Sequence, residues 1–104
     1  MAQPPKLTDE QRKAALAKAA EARRVRAEVK ELLKTGSMRI PELFSRAESD
    51  DLLAGLKVES LIASMPGTGK IKAKRLMESL GIAENRRIRG LGDKQKAALI
   101  AEFS

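Results

Sequence analysis

One helix takes so large a share of this 104-residue chain that everything else must be arranged around it. Thr8-Asp9-Glu10-Gln11 has the Thr-x-x-Gln form of a capping box with two acids in the first turn, and the next stop signal is Gly36. The residues between are mostly alanine, lysine, arginine and glutamate, all strong helix formers. At ~1.5 Å per residue, a helix from Thr8 to Lys34 reaches ~40 Å. Its apolar residues are uneven: Val25, Val29, Leu32 and Leu33 fall at the offsets of a buried stripe, whereas the first half offers alanines and Leu16. The second half is expected to pack and the first to project, so that Arg12, Lys13, Lys18, Arg23, Arg24 and Arg26 stud an exposed arm. That arm reads equally as a face that contacts nucleic acid and as a solvated face held by intrahelical pairs such as Glu21 with nearby arginines. Residues 1–7, with Pro4 and Pro5, read as a short flexible lead-in.

Shorter helices follow. Ile40, Leu43, Phe44 and Ala47 repeat at helical spacing behind Pro41, a residue suited to a first turn. Leu52, Leu53 and Leu56 suit a short helix, and Val58, Leu61, Ile62 and Met65 repeat the same offsets after Gly55. Glu48, Asp50 and Asp51 fall at a helix junction, where acids cap ends, and are read as structural. Ala73, Leu76, Met77 and Leu80 give the next helix its buried face, with Gly81 as its stop. Asp93 is the expected N-cap of a last helix that packs through Ala97, Leu99, Ile100 and Phe103. The predicted fold is all-α: a long N-terminal helix leaning on a small bundle of short helices, with residues 1–36 as lead-in and basic helix and 37–104 as the compact unit.

Met65-Pro66-Gly67-Thr68-Gly69-Lys70 separates two of these helices. Its glycines let the backbone approach a partner, and the helix beginning there aims free N–H groups and its positive dipole end outward. Alone, the turn fits a plain helix boundary as well as a phosphate seat. A second glycine turn, Asn85-Arg86-Arg87-Ile88-Arg89-Gly90-Leu91-Gly92-Asp93, again stands beside clustered cations and opens a helix, and the pair favours phosphate binding.

Charge points the same way. Lys and Arg number 21 against 14 Asp and Glu, with no histidine, giving a net charge of +7. Residues 1–36 carry +4, 37–65 carry −2 and 66–96 carry +6, so two basic lobes flank a less basic middle. Nucleic acid or an anionic membrane surface is the usual partner of such a chain. Phe44 and Phe103 are the only aromatic residues, too few for stacking single-stranded bases, which favours a duplex held by its backbone. Without cysteine or histidine, disulfides and thiolate chemistry are excluded and a transition-metal site would rest on carboxylates alone; no metal and no cofactor is expected. A Walker loop fails on spacing, because one residue separates Gly67 from Gly69, and on the metal ligand, because Ile71 follows Lys70. No apolar run suits a signal peptide or a membrane span, so a cytoplasmic protein is expected.

Leu61 to Ala73, with Pro66-Gly67-Thr68-Gly69-Lys70 at its centre, resembles the helix-hairpin-helix turns, with Ala73 four residues beyond Gly69 where a small side chain lets two helices approach. Thr68 departs from the apolar residue usual between those glycines. From the Pro-Pro-x-Leu-Thr lead to Arg-Arg-Ile-Arg-Gly-Leu-Gly-Asp, nearly the whole chain is similar to the actinobacterial integration host factor family. Those are nucleoid-associated DNA binders with a helix-two-turn-helix module related to one in small-subunit ribosomal proteins. The resemblance implies weak sequence preference, bending or compaction of duplex DNA, and roles in site-specific recombination and transcription control, with a phage integrase as a partner; the two basic lobes would let a monomer, the form expected in solution, bridge or bend duplex without dimerising. It implies that Pro66, Gly67, Thr68, Gly69, Lys70 and Lys72 lie on duplex phosphates, that Arg86, Arg87 and Arg89 meet the same DNA, and that a second face exists, for which Arg12, Lys13, Arg23 and Arg24 are the candidates. A structured-RNA or ribosome-associated binder is the alternative.

Several DNA glycosylases share such turns. In the hairpin glycosylases a catalytic lysine lies two residues after the second glycine, where this chain has Ile71, and the catalytic aspartate falls near Arg89; in the helix-two-turn-helix glycosylases the nucleophile is an N-terminal proline, where this chain begins Met1-Ala2. The expectation is therefore a holder of DNA and not an enzyme.

Overall fold

The computed structural model describes residues 8–104, so the predicted lead-in lies outside the described residues. Six α-helices follow in order: α1 Asp9–Thr35, α2 Ile40–Ala47, α3 Asp51–Ala54, α4 Val58–Ala63, α5 Lys70–Leu80 and α6 Asp93–Glu102, with a 3₁₀ turn at Ile88–Gly90 between α5 and α6. Among the described residues there is no strand, only an isolated antiparallel bridge between Lys57 and Arg87.

The Thr8 hydroxyl accepts from the Gln11 amide at 3.1 Å, and the Gln11 carboxamide oxygen accepts from the Thr8 amide at 3.0 Å, so the α1 capping box is complete. Gly36, at φ 78°, closes the far end. Along α1 the residues from Thr8 to Glu21 are exposed, while Val29 and Leu33 are buried and Val25 and Leu32 pack partly against the core. That buried second half rests on α3 and α4. The five outer cations Arg12, Lys13, Lys18, Arg23 and Arg24 are exposed as expected, whereas Arg26 is half-buried. Among the described residues Glu21 has no ion-pair partner, and the ion pairs are Arg46–Glu42 and Lys74–Glu84.

The core is built on Leu33, Ile40, Leu43, Val58, Leu61, Ile62 and Leu99, all fully buried. Each such aliphatic side chain contributes about 1.5–3 kcal/mol on leaving water. The α2 helix packs on α3, α6 and the 3₁₀ turn, and α4 packs on α5. Ala73 is fully buried, consistent with a small side chain letting α4 and α5 approach. Asp50 caps α3, its Oδ1 accepting from the Leu52 amide at 3.0 Å. Gly81, at φ 69°, ends α5, and the Ile82 amide returns to the Met77 carbonyl at 2.9 Å.

Two details differ from expectation. The N-cap of α6 is Gly92, with Asp93 one residue inside, because the Gln95 side chain turns back to accept from the Gly92 amide at 3.2 Å. Ala97 is exposed, and Leu99 carries the burial of α6 with Ile100 and Phe103 partly packed.

Candidate nucleic-acid interface

At the junction of α4 and α5 the Thr68 amide donates to the Met65 carbonyl at 3.0 Å, and Gly67 takes φ 76°. Proline second and a positive-φ glycine third is the residue pattern of a type II turn. The extended Gly69 then starts α5 with no side-chain cap, so the first amides of α5 face outward without a partner from a capping side chain. Pro66, Gly67, Gly69, Lys70 and Lys72 are exposed and Thr68 is half-buried. The Lys72 ammonium folds back and donates to the Gly67 carbonyl at 3.2 Å. This occupies an oxygen that would repel an anion and sets a positive charge over the turn.

A cleft of about 710 Å³ separates this turn from the last third of α1, lined on the α1 side by Ala27, Lys30, Glu31 and Lys34 and on the other by Ala63 to Gly69. Lys30 and Lys34 therefore border the turn, and sequence reasoning had not singled them out. A signal was available: each lies one residue after a member of the Val25, Val29, Leu33 stripe, on the flank of the helix where a side chain meets neighbouring elements. Arg12 and Lys13 are placed elsewhere, on the projecting half of α1, and Arg23 and Arg24 are exposed just past its midpoint.

The arginine segment is pinned at the opposite end of α4. The Val58 amide donates to the Arg86 carbonyl at 2.9 Å and the Ile88 amide to the Leu56 carbonyl at 3.0 Å. The Arg86 guanidinium donates to the Gly90 carbonyl at 3.0 Å, and that of Arg87 to the Gly55 carbonyl. The α4 helix thus stands between the two basic groups, about 9 Å of helical rise apart. The second glycine turn also differs in chemistry from the first. Its Gly92 amide is taken by Gln95, and Asp93 adds a negative charge to the first turn of α6, so any anion there meets arginine side chains and not helix amides.

Among the described residues no group of three or more acidic side chains lies close enough to hold a metal ion, and no helix is long and apolar enough to cross a membrane. The chemistry on offer is that of cations and free amides spread over an exposed surface, which suits a polyanion better than a small substrate.

Two helices joined by this turn, with further helices packed behind, define a helix-two-turn-helix protein, and a family model described as an S13-like H2TH domain matches residues 33–103. Similarity to known proteins extends further. An integration host factor of Mycobacterium tuberculosis is 52% identical over 99 residues, covering 95% of this chain and 94% of that protein. One from Streptomyces coelicolor is 52% identical over 103 residues, covering 99% and 95%. One from Mycolicibacterium smegmatis is 50% identical over 99 residues, covering 95% and 94%. The chain belongs to the integration host factor family of these mycobacterial and Streptomyces proteins. Among solved structures it is similar to sIHF bound to an 8-bp palindromic DNA, with a TM-score of 0.82 and 48% identity over 85% of this chain and 99% of that one.

Proposed function

We propose that this chain is an architectural DNA-binding protein of the bacterial nucleoid, holding duplex DNA through its backbone phosphates with weak sequence preference. Bending or compaction of the duplex, and assistance to site-specific recombination and transcription, follow from that grip. The observation that carries the reading is the similarity, over 85% of this chain and 99% of the other, to a relative solved on duplex DNA. The contacts are assigned to Pro66, Gly67, Thr68, Gly69, Lys70 and Lys72 at the α4–α5 turn, to Arg86, Arg87 and Arg89, and to Lys30 and Lys34 across the cleft. Arg12, Lys13, Arg23 and Arg24 form a second face on the arm. Residues 37–104 are taken as the DNA-binding unit, with α1 as an appended basic helix. The protein acts as a cytoplasmic, nucleoid-associated monomer, with a phage integrase among its partners in recombination. It works by binding and not by catalysis, a reading supported by Ile71 at the position of the hairpin glycosylases' catalytic lysine.

A gel-shift series against salt tests this. Lys72→Ala should weaken binding about equally across sequences and lower the log–log salt slope by about one, the mark of one lost phosphate contact. A loss confined to one sequence would mean base readout and would sink the mechanism. The same substitution at Arg87 should add a lower melting temperature, because its guanidinium also holds the Gly55 carbonyl.

The S13-like character of the module favours a second reading, binding of structured RNA. Competition between duplex DNA and duplex RNA separates the two, with a clear preference for RNA deciding against DNA.

A further inference from the structure

Three guanidinium groups gather at Gly55. Arg87 donates to its carbonyl. The Nη2 atoms of Arg89 and Arg26 come within 3.0 and 3.3 Å of the point where a Cβ on this glycine would stand. Arg26 belongs to α1, while Arg87 and Arg89 flank the start of the 3₁₀ turn, so distant parts of the sequence meet here. None of the three is ion-paired; the pairs among the described residues lie elsewhere. The Nε of Arg26 is buried and has no hydrogen-bond partner.

Arginine stays charged at any working pH, so three such groups around one point repel, and a buried donor without an acceptor adds to the cost. An anion with several oxygens would reverse both effects, and guanidinium forks match phosphate geometry. Gly55 fits this account. Its φ of −84° and ψ of −1° are open to any residue. What the glycine supplies is room, since a Cβ would enter the space the two guanidinium groups share.

We propose that Arg26, Arg87 and Arg89 form a phosphate seat above Gly55 and that its occupant is a backbone phosphate of the bound duplex. The proposal rests on the DNA-binding reading and adds Arg26 to it as a binding residue. It also gives the seat a second role. Because one of its three arms comes from α1, an occupying phosphate fastens α1 to α3 and the 3₁₀ turn, so loading the seat stiffens the protein as well as holding the DNA.

Two measurements test this together: thermal melting in sodium phosphate against sodium chloride at matched ionic strength, and the salt dependence of duplex binding. Wild-type protein should melt about 4 °C higher in phosphate, at phosphate several times its dissociation constant. Arg26→Gln should lose that increment, weaken duplex binding ~10-fold and lower the salt slope by about one. Arg26→Lys keeps the charge but not the fork and should retain only part of the increment. Gly55→Ala changes no charge and should also lose the increment, while its melting in chloride reports whether the fold is intact. A wild-type protein with no phosphate-specific increment, or an Arg26→Gln protein that keeps it, would overturn the seat. An increment abolished by Arg26→Gln with an unchanged duplex salt slope would overturn the duplex as occupant and leave free phosphate in its place. Failure of wild-type protein to bind duplex at low salt would remove the DNA reading, while the melting arm would still decide whether the seat exists.

Discussion

Gly67 and Gly69 stand two residues apart in one turn and are glycine for different reasons. Gly67 takes φ 76°, where a Cβ is strained even though none would meet another atom within 4 Å. Gly69 has a negative φ and the same open space around it, so the fold itself does not demand glycine there. Gly67→Ala should cost about 1 kcal/mol, seen as a drop of about 4–8 °C in melting temperature. Gly69→Ala should melt within ~2 °C of wild type yet lose duplex affinity ~10-fold, because the new methyl stands in front of amides that a phosphate must reach closely. Melting curves and gel shifts on the two variants check the contrast. Wild-type affinity in Gly69→Ala would take those amides out of the interface.

At the scale of elements, α1 is two things in one rod. Its second half is held by Val29 and Leu33 in the core, while its first half depends on the Thr8 cap and on intrinsic propensity. Hydrogen exchange should therefore show amides from about Ala14 to Glu21 exchanging orders of magnitude faster than those of α4 and α5. Added duplex should slow the arm if Arg12, Lys13, Arg23 and Arg24 touch DNA, and an unchanged rate would remove that second face. Most of this architecture was legible in the chain. The Thr8 box, the Gly36 and Gly81 stops and the apolar offsets each act within a few residues, so sequence alone reports them. Arg26 was legible as one of the α1 cations and Lys30 and Lys34 as flanks of the buried stripe, but what each of them faces was not, because Gly55 and the 66–69 turn come near only when α1 docks. The Asp93 cap was misplaced for a local reason: Gln95 competes for the Gly92 amide, a side-chain choice that the Asp preference at N-caps does not reveal.

At the scale of the molecule, the principal extents are 53 × 31 × 26 Å and the radius of gyration is 16.3 Å. A compact domain of about 100 residues has a radius near 13 Å, and the projecting arm accounts for the excess. On the proposed reading, a very short duplex is too small to reach both the arm's cations and those of the 66–96 lobe. The salt slope should therefore be steeper on a 20-bp duplex than on an 8-bp one. Replacing Arg12, Lys13, Arg23 and Arg24 together by Gln should abolish the difference while leaving the 8-bp slope unchanged. Equal slopes on both lengths in wild-type protein would confine the contacts to a single lobe.

The large hydrophobic side chains that lie exposed among the described residues are Leu16, 61% exposed on the arm, and Ile71, 71% exposed at the start of α5. They sit singly on different helices. Whatever part of the +7 the duplex phosphates leave unneutralised opposes, on the proposed reading, side-by-side binding of copies. On the proposed reading, occupancy of a chromosome by this protein rises site by site with its concentration, limited by overlap between footprints. Condensation driven this way is graded, so a modest change in the amount of protein made would adjust it smoothly, without a threshold.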